Sequence, residues 1–278
     1  MMGKRWRALF GMVFAVASSS IAIGADLESI ISGRSAEDQA RDQYRHPIET
    51  LSFFEIEAGM TVIETLPGSG WYTRILVPYI GSGGRFFGAN YSVDLFKRIM
   101  GERWGSRRAR IESWSQKFPA EAASYATHPP EIGAFIIGQA PAELIGDVDR
   151  VLYIRSLHHL NRFDPRLLDE AAIEAFTLLK PGGIVGVAQH RAPESNDEDW
   201  ANGSQGYLRQ TRVVEAFEAA GFTLAASSEI NANPKDVPSE KDRVWRLPPT
   251  LRVEGEARKA NLAIGESDRM TLKFVKPK

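Results

Sequence analysis

Between Thr61 and Val275, short runs of apolar and β-branched residues alternate with segments whose apolar positions recur every three to four residues. Thr61 to Glu64, Arg85 to Ala89, Ala134 to Ile137, Arg150 to Ile154 and Gly183 to Gln189 read as strands, and Phe222 to Ile230 and Met270 to Val275 as later ones. The periodic segments predict helices over Trp71 to Tyr79, Ser92 to Met100, Pro165 to Leu179 and Gly206 to Ala220. Lys180-Pro181-Gly182-Gly183 closes the third as a stop signal. Alternation of this kind predicts an α/β domain with a doubly wound, mostly parallel sheet and helices on both faces. Ahead of it, Asp26 to about Glu57 is polar with helical spacing at Ile48, Leu51 and Phe54, and reads as two helices leading into the sheet.

Two segments stand outside the alternation. Lys4, Arg5 and Arg7 precede an apolar stretch from Ala8 to Ala17 and small residues through Ala25, the pattern of a secretory signal peptide cleaved near Ala25. Gly11 and Ser18-Ser19-Ser20 interrupt it, so it is poor material for a stable span of ~20 apolar residues. Asn231 to about Asp268 is polar and proline-rich, longer than the ~12 to 15 residues of ordinary connections, and Trp245-Arg246-Leu247-Pro248-Pro249 within it suggests a packed lid or cap. The expected organisation is a signal peptide at 1–25, a helical segment at 26–57, and a domain at 58–278 with an insertion at about 231–268. The mature chain is expected to be periplasmic or secreted, without a stable membrane span.

Charge and cysteine content narrow the chemistry. Lys and Arg number 34 against 35 Asp and Glu, a net charge of -1, so no overall basic excess points to nucleic acid. The chain has no cysteine, which removes disulfides, thiolate nucleophiles and cysteine metal ligands.

Val62 to Thr73 carries the main signal. A strand ends near Glu64 and breaks into Leu66-Pro67-Gly68-Ser69-Gly70, and a helix follows. Gly68 and Gly70 would let the backbone approach a ligand, and the helix would present its first amides to it. Together with Asp149-Arg150-Val151-Leu152-Tyr153-Ile154, Leu157-His158-His159-Leu160 and Leu178-Leu179-Lys180-Pro181-Gly182-Gly183, this block resembles class I S-adenosylmethionine-dependent methyltransferases in order and spacing. Pro67-Gly68-Ser69-Gly70-Trp71-Tyr72-Thr73 is similar, more narrowly, to a bacterial group of predicted methyltransferases, often exported. The resemblance runs from about Ile48 to the C-terminus and implies a Rossmann-like, seven-stranded sheet whose last strand is antiparallel.

What the resemblance implies about the site is specific. S-adenosylmethionine would be the cofactor, with Glu64, Gly68 and Gly70 at its methionine and ribose end and Pro67 and Ser69 in the same loop. Asn90 falls where the family usually has an acidic residue for the ribose hydroxyls, and Gln139 where it has one for adenine. Leu66 replaces the first glycine of the common loop.

His158 and His159 follow the fourth strand and His190 ends the fifth, all at the sheet edge where open α/β folds place ligands. Each could position or deprotonate a nucleophile, or simply pack; His159 and His190 are the leading candidates, with His158 behind them. Arg155 could bind a carboxylate or close a structural ion pair. Trp71 and Tyr72 could wall the ligand or join the core, and Tyr207 and Arg209 could reach the pocket or cover Asp197-Glu198-Asp199. Adjacent histidines without a third partner do not make a metal set. Gly-x-Ser-x-Gly, Gly-Lys-Ser/Thr and His-Glu-x-x-His are all absent, and Thr73 stands where a nicotinamide-type loop needs glycine. The expectation is methyl transfer to a small or lipid-like acceptor. A catalytically inactive module that keeps the fold for ligand binding or interaction is the alternative.

Overall fold

The computed structural model describes residues 26–278; the expected signal peptide at 1–25 lies outside the described residues. The strands are β1 (Thr61–Thr65), β2 (Arg85–Asn90), β3 (Glu131–Ile136), β4 (Val148–Ile154), β5 (Leu179–His190), β6 (Thr223–Ser228) and β7 (Arg269–Val275). They form one seven-stranded sheet in the order β3-β2-β1-β4-β5-β7-β6. Strands β1 to β5 pair in parallel, and β7 runs antiparallel to both β5 and β6. The mixed, doubly wound sheet with an antiparallel last strand is the one expected.

The helices anticipated from periodicity are α5 (Thr73–Ile80), α6 (Val93–Met100), α10 (Pro165–Leu178) and α11 (Gln210–Ala219). Local chemistry sets their ends. Ser92 caps α6 by accepting from the Leu95 amide, and Asp164 caps α10 with Pro165 in its first turn. Lys180-Pro181-Gly182-Gly183 ends α10 as expected but is no loop: the chain passes at Leu179 directly into β5. Helix α11 starts later than predicted because Leu208 is held by bridges to Arg191 and Asn202.

Other elements depart from expectation. The segment before the sheet forms four short helices, not two: α1 (Leu27–Ser32), α2 (Ala36–Gln39), α3 (Asp42–Arg45) and α4 (Pro47–Phe53). Their breaks fall at Gly33 and at His46, whose φ of 40° is left-handed. Helices α7 (Trp104–Glu112), α8 (Trp114–Ala123), α9 (Leu157–Phe163) and α12 (Gly255–Ile264) escape the periodicity. Neither α7 nor α12 buries a residue, so neither carries the apolar stripe that makes a helix readable.

The two faces of the sheet carry separate cores. Leu51, Phe54, Ile75, Leu76 and Phe118 pack on one, and Leu168, Ala172, Val213 and Phe217 on the other. Helix α5, following β1, and helix α10, following β4, therefore lie on opposite faces. Adjacent β1 and β4 form the topological switch point, and the crevice beyond their carboxyl ends is where such sheets bind ligands.

Candidate functional site

The loop after β1 forms the floor of that crevice. The Leu66 amide donates to the Ala89 carbonyl at 2.7 Å, and Leu66, Gly68 and Gly70 take φ values of 50°, 64° and 77°. Glycine adopts this left-handed region freely, whereas a side chain there costs ~1–2 kcal/mol. Leu66 bears that strain where the common loop has glycine. With Gly68 it borders two cavities, one of about 230 Å³ toward β4 and one of about 310 Å³ toward β2. Gly70 borders neither: a Cβ there would meet the Tyr125 hydroxyl at 3.1 Å and Arg74 at 3.3 Å, so its smallness serves packing. Arg74 braces the loop by donating to the Ser69 carbonyl at 2.7 Å while its guanidinium forks onto Asp38.

Glu64, buried at the end of β1, faces the first cavity. The Thr73 hydroxyl donates to its carboxylate at 2.6 Å. Burial outweighs that bond and the charges of Arg74, Arg155 and Arg45, and pushes the carboxyl up to about 7.

The same cavity is also lined by the opposite charge. Glu266 is held by Arg41 at 2.7 Å and by Arg45 and Arg269 at 3.2 Å each. Burial opposes its ionisation, but the charges of Arg269, Arg45, Arg155 and Arg41 prevail and hold it at about 2. One carboxylate thus pairs with three guanidinium groups and also feels the charge of Arg155. Arg45 leaves Nη1 and Nη2 without a partner, and Arg155 leaves Nε so. Burial lowers Arg155 to about 10, still charged at neutral pH. Buried donors of this kind are costly to leave unmade.

The three histidines converge on this cavity. His158 and His159 lie in the first turn of α9, not in a loop, with ring centroids 4.2 Å apart; His158 and His190 are 5.5 Å apart. Gln189 donates to His158 Nδ1 at 3.3 Å, which places the proton of the neutral ring on Nε2. His190 Nδ1 shares a 2.5 Å hydrogen bond with the Ser267 hydroxyl. Burial, with Arg155 and Arg162 nearby, lowers His158 to about 4. Burial together with the neighbouring His158 and arginine charges also takes His159 and His190 well below the usual imidazole value. All three are neutral at pH 7. His159 Nδ1 has no partner.

Of the remaining expected residues, Pro67 and Ser69 line the first cavity and Asn90 the second, where Asn90 Oδ1 accepts from the Tyr91 amide. Gln139 is exposed and borders none of these cavities; its turn is tied instead to α10, where Glu174 accepts from the Gly138 and Ala140 amides. Trp71 and Tyr72 are both buried and still border the cavity, Trp71 between the guanidinium groups of Arg34 and Arg45. Tyr207 is fully buried, donating to Asp236, and Arg209 donates to the Asn196 carbonyl. The insertion covers the crevice with Val244, Trp245, Pro248 and Pro249, and Trp245 stacks on His159. Arg45, Glu266 and Trp245 are the site residues the sequence did not assign. Among the described residues no group of three or more His, Asp or Glu could hold a metal.

No protein-family model and no curated protein matches the chain. Solved structures do resemble it. A chain of the complex between the Haloferax volcanii Trm112 methyltransferase activator and its partner, described as a methyltransferase, aligns over 91% of this chain and 98% of that one, with TM-score 0.52 and 19% identity. The [4+2]-cyclase SpnF aligns over 88% and 84%, with TM-score 0.50 and 17% identity. Likeness at these identities establishes the fold and leaves the chemistry to the site. The chain has the Rossmann-like methyltransferase fold.

Proposed function

We propose that this chain is an S-adenosylmethionine-dependent methyltransferase acting on a small or lipid-like acceptor. One observation carries the reading: a single cavity is lined by an ionisable carboxyl, Glu64, and by Arg45 and Arg155, whose guanidinium groups keep unpartnered donors. That pairing complements an amino acid head group, with ammonium toward Glu64 and carboxylate toward the arginines. Gly68 leads from this cavity to the second, where Asn90 offers an amide to a ribose. The residues present therefore fit the cofactor, although Gln139 has no part in holding it.

When bound, S-adenosylmethionine supplies an electrophilic methyl group. The chain's own part is to orient and to exclude water. Trp245 and Pro248 add apolar wall to the cavity, and water that they displace would strengthen the electrostatic contacts within it. The neutral histidines suit hydrogen bonding to an acceptor better than wholesale proton removal. His159 Nδ1, unpartnered, is the group best placed to receive the proton of a hydroxyl or amine, and His190 is the second. Arg155 stays in the cofactor-binding role. The basic and apolar stretch ending near Ala25 supports export of the mature chain, and the Pro67 to Thr73 motif supports the bacterial exported group.

A crystal structure with S-adenosylhomocysteine tests the reading. The expected result places the ligand's carboxylate on Arg45 or Arg155 and its ribose beside Asn90. A ligand bound elsewhere, or with its amino acid end turned from Glu64, would refute it.

A further inference from the structure

The stacked Trp245 and His159 rings also border another cavity, of about 380 Å³. Four arginines line it: Arg103 after α6, Arg162 in α9, and Arg243 and Arg252 in the insertion. No acidic residue lines it, and among the described residues none of the four forms an ion pair. Arginines elsewhere in the chain are commonly paired, as Arg191 is with Glu229 and Asp268, and the chain as a whole is slightly acidic. The convergence therefore does not reflect net charge, and it continues into the second cavity, which Arg103 also borders beside Arg107 and Arg110. Trp245 supplies an aromatic wall, with Arg252 over its ring at 6.0 Å.

We propose that this cavity seats the methyl acceptor, and that the acceptor carries two or more anionic groups, phosphate or carboxylate, held by Arg103, Arg162, Arg243 and Arg252. A single-sign cleft concentrates counter-charge, and guanidinium forks match phosphate and carboxylate oxygens in pairs. Mutual repulsion supports the assignment: burial and the charge of Arg243 both press Arg162 toward neutrality, a strain that a bound anion relieves. Because the His159 and Trp245 rings border both cavities, an acceptor anchored here would lie directly beside the neighbouring one. The acceptor role rests on the methyltransferase reading; the anion site does not.

The test is calorimetric titration of the full chain with inorganic pyrophosphate and, separately, citrate, at about 0.15 M salt to screen diffuse attraction. S-adenosylhomocysteine is titrated in parallel. At least one of the two anions is expected to bind, and which binds more tightly separates phosphate from carboxylate recognition. Arg243→Gln/Arg252→Gln, two exposed positions, should weaken it at least tenfold while S-adenosylhomocysteine affinity stays within twofold. Lys117→Gln/Lys235→Gln removes the same charge from exposed residues that border none of these cavities and should change anion binding by less than twofold. No anion binding by a chain that binds S-adenosylhomocysteine, or equal loss in both double variants, would overturn the proposal. Anion binding without S-adenosylhomocysteine binding would support the site and refute the methyltransferase reading.

Discussion

Thr73 donates a 2.6 Å hydrogen bond to Glu64, and among the described residues that hydroxyl is the only side-chain donor to a buried carboxyl pushed up to about 7. A folded-state pKa above the ordinary 4.5 makes the protonated carboxyl the better partner of the fold. Its contribution is complete below about pH 4.5 and is lost as pH rises through 7. A shift of this size corresponds to about 3 kcal/mol. Glu64→Gln, which can still accept from Thr73, should therefore raise the melting temperature at pH 8, with the gain shrinking toward pH 5. A variant no more stable than wild type at pH 8 would contradict the raised pKa.

The same carboxyl makes binding pH-dependent. A ligand ammonium favours the ionised form, so S-adenosylhomocysteine affinity should climb between pH 5.5 and 7, with proton release visible as a buffer-dependent heat. In Glu64→Gln both effects should vanish, and affinity at pH 7.5 should fall by roughly ten- to a hundredfold, as for loss of a charge-assisted bond. Binding that is flat with pH in the wild type would remove Glu64 from the ligand site.

Glu266 has the opposite sign. Its lowered carboxyl stabilises the fold above about pH 4.5, and the contribution is lost as pH falls through about 2. Glu266→Gln would leave Arg41, Arg45 and Arg269 uncompensated, and should cost about 3–5 kcal/mol in urea unfolding at pH 7. A loss below 1 kcal/mol would mean that those arginines find other partners.

Leu66 offers a test of strain. In the left-handed region glycine should outperform alanine, reversing their usual order, so Leu66→Gly should be about 1 kcal/mol more stable than Leu66→Ala. Thermal unfolding of the two variants decides it, and the reverse ranking would place the φ elsewhere.

Sequence pattern reveals a feature when its residues are contiguous or periodic. The Glu64 to Gly70 loop and the strands around it are of that kind, and so are His158 and His159, just after one readable strand, and His190, at the end of another. Arg45 and Glu266 stand 221 positions apart and meet only because the first helices and the end of the insertion close over the same crevice. Trp245 drew notice as a packed residue, but nothing local says that it lies on His159. Helices α7 and α12 bury nothing and leave no apolar period to read. Gln139 shows the converse: a position that only the family resemblance assigned to the cofactor turns outward, because Glu174 holds the backbone on either side of it.

The most direct measurement is titration calorimetry of S-adenosylmethionine and S-adenosylhomocysteine into the full chain, with Gly68→Arg as the blocked form. Gly68 borders both cavities, so a guanidinium side chain there would intrude on the space that a bound cofactor needs. The methyltransferase reading predicts saturable, one-to-one, micromolar binding that is lost in a Gly68→Arg variant with unchanged far-UV circular dichroism. Absence of binding by well-folded wild-type chain, or equal binding by both, would contradict it and leave the fold as a scaffold for another ligand.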